Sequence, residues 1–181
     1  MISRAITVFG SAQPIPGSAA YEQARQTGRL LAQSGFTVVN GGYTGTMEGA
    51  SQGAAEVGGR AVGVTCALFD GRREGANPYL TEEIHTPDLL SRLRTLVERG
   101  DGYIVLGGGI GTMLELFLVW NLLSITATNK PCVLVGTEWH DVLDDLVRDT
   151  AIEADHVALL RFADTSEDAV CLLNTVFHTA K

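Results

Sequence analysis

Residues 102–120 read GYIVLGGGIGTMLELFLVW. The first five residues are a continuous apolar run of strand length, and four glycines fall within the five positions from Gly107 to Gly111. From Thr112 to about residue 126 the chain is apolar over a helical length. A buried strand opening through glycines into a helix is a repeating unit of a parallel sheet covered on both faces. Glycines let a ligand approach the backbone closely, and the free N–H groups and dipole at a helix start favour an anion, most often phosphate. A tight strand-to-helix turn alone does not require four of them.

The same alternation extends outward. RAITVF (4–9) ends at Gly10-Ser11, and a helical pattern from about Ala19 to Ser34 closes at Gly35. FTVV (36–39) leads into the loop NGGYTG (40–45), a small-residue helix spans roughly 46–57, and RAVGVTC (60–66) is the third strand. EEIHT (82–86) is a short strand, and Thr86-Pro87-Asp88 marks a helix start, with a capping hydroxyl and proline at the first helical position. PCVLV (131–135) is a further strand, with helices at 139–150 and 165–177. The pattern predicts one α/β domain over residues 1–181, doubly wound and Rossmann-like, its mostly parallel sheet flanked by helices on both faces. The carboxyl ends of such strands share one edge. Gly10-Ser11, Gly41-Gly42 and the turn from Gly107 to Thr112 therefore converge on one expected binding edge.

Charge and composition narrow the ligand. The chain carries 13 Lys and Arg against 21 Asp and Glu, a net charge of −8. Such a surface repels phosphodiester backbones and argues against a general nucleic-acid binder, while backbone amides still bind a small phosphorylated ligand. No stretch reads as a membrane span or signal peptide, and Cys66, Cys132 and Cys171 read as reduced thiols, so a cytoplasmic location is expected. His85, His140, His156 and His178 lack metal-ligand spacing, and no metal or cofactor is expected. The only lysines are Lys130, at the start of a strand, and Lys181, which argues against a pyridoxal-phosphate enzyme. The glycine turn lacks the lysine of a P-loop and reads GxGxG rather than GxGxxG; Glu138, after the next strand, keeps a dinucleotide ribose contact as a minor alternative.

Two charged residues have double readings. Glu115 stands three residues after Thr112, which fits a capping box as well as a carboxylate facing a bound sugar. Arg92 lies on the margin of the stripe Leu89, Leu93, Leu96 and Val97, where its stem would cover apolar surface with its head in water. The polar segment 70–81 reads as a surface loop or a lid over the edge.

Together these residues resemble the LOG (LONELY GUY) family, Rossmann-like proteins long described as possible lysine decarboxylases. The family's PGGxGTxxE signature is similar to Gly107-Gly108-Gly109-Ile110-Gly111-Thr112-Met113-Leu114-Glu115, and its GGGPGxMEA motif to Gly41-Gly42-Tyr43-Thr44-Gly45-Thr46-Met47-Glu48-Gly49. Ser11 matches the serine after the first strand, and Arg92 the helix arginine ahead of the signature. The likeness covers residues 4 to about 150. It implies hydrolysis of the N-glycosidic bond of a nucleoside 5′-monophosphate, of AMP or cytokinin riboside type, to free base and ribose 5-phosphate. It assigns Arg92 and Glu115 as the catalytic pair. It implies substrate binding by Gly10, Ser11, Gly41, Gly42, Gly45, Thr46, Met47, Glu48 and the turn Gly108, Gly109, Ile110, Gly111 and Thr112. The sequence departs from the family at Gly107 (usually proline), Leu93 (often lysine) and Tyr43-Thr44 (usually glycine-proline). Family members are generally dimers or larger, and the helix after Thr112, apolar nearly all round, fits a homodimer or full burial within one subunit. A non-catalytic carrier of nucleotide or molybdenum cofactor, or a nucleotide-sensing protein, are the alternatives.

Overall fold

The computed structural model describes residues 4–71, 75–126 and 128–179. Arg72, Arg73 and Glu74 of the polar segment, and Lys181, lie outside these residues, as does the side chain of His178. The chain runs β1 (Ala5–Phe9), α1 (Ala19–Gln33), β2 (Thr37–Asn40), α2 (Thr46–Ala55), β3 (Ala61–Cys66), a 3-10 turn (Ala67–Phe69), β4 (Glu82–Thr86) and α3 (Leu89–Arg99). It continues through β5 (Gly102–Val105), α4 (Ile110–Ile125), β6 (Cys132–Val135), α5 (Glu138–Asp149), α6 (Ala154–Val157), β7 (Arg161–Ala163) and α7 (Ser166–Thr179).

The seven strands form one sheet in the order β4-β3-β2-β1-β5-β6-β7. Every pairing is parallel, so the expected mostly parallel sheet is wholly parallel among the described residues. Strand side chains alternate between two cores. Ile6, Val8, Val38, Ile104 and Val133 pack with Ala24, Leu31, Ala50 and Leu173 of α1, α2 and α7. Phe9, Val39, Tyr103, Val105 and Leu134 pack with Leu96, Leu116, Trp120 and Leu143 of α3, α4 and α5. Strand order reverses between β1 and β5, and the crevice outside their carboxyl ends is where doubly wound sheets bind ligands.

Local chemistry moves two expected boundaries, the starts of α3 and α4. Asp88, not Thr86, caps α3, its carboxylate accepting the Ser91 N–H at 2.9 Å. Thr86 ends β4 and donates its hydroxyl to the Thr65 carbonyl. Helix α4 begins at Ile110 with Gly109 as a cap that offers no side chain, so Thr112 is already inside the helix and the Thr112–Glu115 capping box does not form. The short α6 and β7 carry too few residues to show a period and are additions to the expected elements.

Among the described residues no helix is long and apolar enough to cross a membrane. Cys66 and Cys132 are buried and Cys171 exposed, all three free. Burial pushes the Cys132 thiol from an ordinary 9.0 up to about 12. The fold therefore favours the neutral thiol, and this stabilisation is complete below pH 9 and lost as pH rises toward 12. Urea denaturation should show Cys132 contributing a loss of ~1.5 kcal/mol between roughly pH 9 and 10.5. That share should vanish in Cys132→Ala, and a thiol reagent at neutral pH should label only Cys171 in the native protein.

Candidate functional site

The carboxyl edge is knitted together by main-chain contacts before any ligand is considered. Beyond β1, the Ser11 carbonyl accepts both the N–H and the hydroxyl of Thr46, at 2.9 and 3.0 Å, tying the start of α2 to the first strand. Thr44 donates its hydroxyl to the Ala12 carbonyl at 3.2 Å. Tyr43 crosses to β3, its hydroxyl accepting the Cys66 N–H at 2.8 Å and donating to the Cys66 carbonyl at 3.2 Å.

Arg92 comes onto this edge from α3. Residues 89, 92, 93 and 96 share the inward face of that helix, which presses Leu93 and Leu96 into the core and sends residue 92 to the strand ends. Its side chain is buried, the residue being only 6% exposed. Nε donates to the Val64 carbonyl at 2.8 Å, Nη2 to the Gly41 carbonyl at 3.2 Å, and Nη1 meets Glu115 Oε1 at 3.4 Å. The expectation of a solvated guanidinium, drawn from the helix margin alone, is thus overturned. The Tyr43 and Phe69 rings, edge to face with each other, each stand 5.9 Å from the guanidinium carbon.

Glu115 is itself 9% exposed and sits in the second turn of α4. It lies five residues beyond Ile110, about 7.5 Å along the axis at ~1.5 Å per residue, and helical side chains lean back toward the N-terminus. Its carboxylate therefore shares a face with the first turn, whose N–H groups at Ile110, Gly111 and Thr112 have no helical partner one turn earlier. That arrangement can hold an anion at the helix start and present a carboxylate one sugar-length away.

A cleft of about 800 Å³ opens over the pair. Of the expected residues it is lined by Gly10, Ser11, Met47, Gly109, Ile110, Gly111 and Thr112, beside Arg92 and Glu115. Thr46 and Gly108 instead line a neighbouring hollow on the other side of the glycine turn, together with Gln13 and Glu138. Gly41, Gly42 and Gly45 line neither hollow. The Gly41 carbonyl anchors Arg92, the Gly42 N–H bonds to Asn40 Oδ1, and Gly45, at φ +75°, packs on the backbone of Ser11 and Ala12. Glu48 lines neither hollow; burial and then the nearby Glu48 charge push the Tyr21 hydroxyl up to about 12.

Apart from Gln13, which borders both hollows, the remaining walls are apolar: Ala12, Phe69, Leu89, Leu93, Met113, Leu114 and Phe117. Phe69 was not expected here, although its place just beyond β3 puts it on the binding edge by topology alone. Among the described residues no lysine lines the cleft. Lys130 sits at the opposite edge of the sheet, its ammonium 3.4 Å from the Val97 carbonyl.

Comparison with known proteins identifies the family. The family model described as possible lysine decarboxylase matches residues 47–173, which include Arg92 and Glu115. The chain is 35% identical over 154 residues to the cytokinin riboside 5′-monophosphate phosphoribohydrolase of Rhodococcoides fascians, covering 83% of this chain and 77% of that protein. It is 32% identical over 136 residues to the protein of the same name from Mycobacterium tuberculosis, covering 75% and 72%. The solved structure of a molybdenum cofactor binding protein from Rippkaea orientalis shares the fold, with a TM-score of 0.77, 24% identity, and 98% and 99% of the two chains covered. Matching motifs, an extended family match and relatives above 30% identity make one assignment: the chain belongs to the LOG family.

Proposed function

We propose that this protein hydrolyses the N-glycosidic bond of a nucleoside 5′-monophosphate, of AMP or cytokinin riboside 5′-monophosphate type, releasing the free base and ribose 5-phosphate. The observation that carries the reading is the buried Arg92–Glu115 pair beside the start of α4 in one cleft. The relatives named as phosphoribohydrolases support it. The whole chain, residues 1–181, serves as one nucleotide-binding domain in the cytoplasm.

The substrate's 5′-phosphate rests on the amides from Gly109 to Thr112, the part of the expected Gly108–Thr112 turn that lines the cleft, where the α4 dipole favours an anion. Glu115 then faces C1′ of the ribose. As the C1′–N bond lengthens, its electron pair leaves with the base, which takes a proton from solvent, and positive charge builds on the sugar. A fixed carboxylate stabilises that oxocarbenium-like state, and a water oxygen bonds to C1′ while its proton is released. Arg92 holds the carboxylate in place. A carrier of the same fold needs the glycine-rich edge but not this buried ion pair.

The assembly is a homodimer. Helix α4 packs Leu116, Val119 and Trp120 against the sheet and leaves Ile110 89%, Leu114 44% and Phe117 38% exposed on the opposite side. These residues also line the mouth of the cleft, so a second copy covering them would exclude water from the site.

Incubation with AMP, GMP, CMP, UMP and isopentenyl-AMP, followed by chromatography, should show base release that falls at least about 100-fold in Glu115→Ala and Arg92→Ala. Binding without release from any nucleotide would favour the carrier. In urea, Arg92→Ala should cost about 3 kcal/mol because it removes the counter-ion of a buried carboxylate, and adding Glu115→Ala should recover part of that loss. Leu114→Glu should convert the dimer to monomer in analytical ultracentrifugation.

A further inference from the structure

Behind Gly41 lies a polar cluster of Asn40, Ser51 and Asn77, none of which lines the cleft. Asn40 and Ser51 are fully buried and Asn77 is 6% exposed. Asn40 Oδ1 accepts the Gly42 N–H at 2.8 Å, while its Nδ2 donates to the Met47 carbonyl at 3.1 Å and to Ser51 Oγ at 2.8 Å. From the segment beyond β3, Asn77 donates its Nδ2 to the Tyr43 carbonyl at 3.2 Å and its main-chain N–H to the Gly42 carbonyl at 2.8 Å. Its Oδ1 accepts the Tyr79 N–H at 3.2 Å. The Asn40 amide thus holds the peptide unit before Gly42, and Asn77 holds the next two, the first by its main-chain N–H and the second by its side-chain amide, inside a loop with no ladder bonds of its own.

Arg92 has two main-chain anchors of different character. The Val64 carbonyl belongs to a strand paired on both sides, and its direction follows from the sheet. The Gly41 carbonyl belongs to the turn, and its direction depends on what bends the chain there. The bond from Asn40 Oδ1 to the Gly42 N–H is an Asx turn, a side chain standing in for a backbone bond, and Gly42 completes it at φ +81°. The turned carbonyl faces Nη2 of Arg92 so closely that a Cβ on Gly41 would collide with that nitrogen and with Met47 Sδ.

We propose that Asn40 and Asn77 are positioning residues for the catalytic pair, acting on Glu115 through the Gly41 carbonyl and Arg92. This rests on the reading of Arg92 and Glu115 given above. The phosphate anchor, on α4, is a separate element. Losing either amide therefore moves the guanidinium, and with it the carboxylate at C1′, while substrate affinity is retained.

The test is steady-state kinetics on the full chain with whichever of the five nucleotides the unaltered protein turns over fastest, with circular dichroism and melting curves on every variant. Asn40→Ala and Asn77→Ala should lower kcat by about 10- to 100-fold, the scale of a misplaced catalytic group, with KM within about twofold. Asn40→Asp, which keeps the acceptor for the Gly42 N–H, should restore part of the lost kcat. Gly41→Ala should reproduce the kcat loss with both amides intact. A folded Asn40→Ala or Asn77→Ala protein with unchanged kcat would overturn the inference, as would kcat and KM worsening together in step with melting temperature. If Asn40→Ala does not fold, Asn77→Ala, which keeps its main-chain bond to Gly42, and Gly41→Ala decide by the same criteria. No turnover by the unaltered protein would overturn the phosphoribohydrolase reading itself, and the inference with it.

Discussion

A guanidinium cannot shed its charge inside a protein, so an arginine that is 6% exposed obliges the structure around it to supply acceptors. Those acceptors come from the carboxyl end of β3, the turn after β2, and the second turn of α4. Their convergence depends on the strand order, because β2 and β3 lie on one side of β1 and β5, which launches α4, lies on the other. One charge thereby links the sheet's two halves across its switch point. The same burial that would cost several kcal/mol for an unpaired ion makes the pair's geometry hard to disturb.

The cleft solves an electrostatic problem in a chain of net charge −8 without any lysine at its walls. Two fixed groups shape its field, the N-terminus of α4 and the Arg92 guanidinium, whose charge Glu115 balances. Both are anchored by main-chain geometry and need little reorganisation when an anion arrives. The apolar walls, Phe69, Leu89, Leu93 and Met113, offer a base mainly ring and chain contacts, so hydrogen-bonding demands are concentrated at the phosphate and sugar.

Much of this was legible in residue order. Continuous apolar strands such as GYIVL and PCVLV, each followed by a helical pattern, predict a parallel sheet, and the glycines at positions 10, 41–42 and 107–111 mark its binding edge. Periodicity could place Arg92 at the margin of the α3 stripe, but not tell that two strand-end carbonyls stand opposite it. The start of α4 was misplaced by two residues because Gly109 caps without a side chain and leaves no signature. Tyr43 is a departure from the family motif on paper, yet its hydroxyl, bonded twice to Cys66, ties the glycine turn to β3. Phe69, in the short turn after β3, and Asn77, in the polar segment 70–81, lie where no periodicity runs, and only the folded chain reveals what each touches.

The interleaved strand order also governs when during synthesis the site can exist. A ribosome that has released the chain only through β4 has exposed Gly41 and the Val64 carbonyl, but neither Arg92 nor the strand that pairs with the free side of β1. Even after α3 emerges, the guanidinium has two carbonyl partners and no counter-ion until α4 follows. Ligand binding and completion of the central sheet therefore become possible over the same short span of translation. A chain truncated before residue 110 holds no half-working site, only an unpaired charge and an open sheet edge.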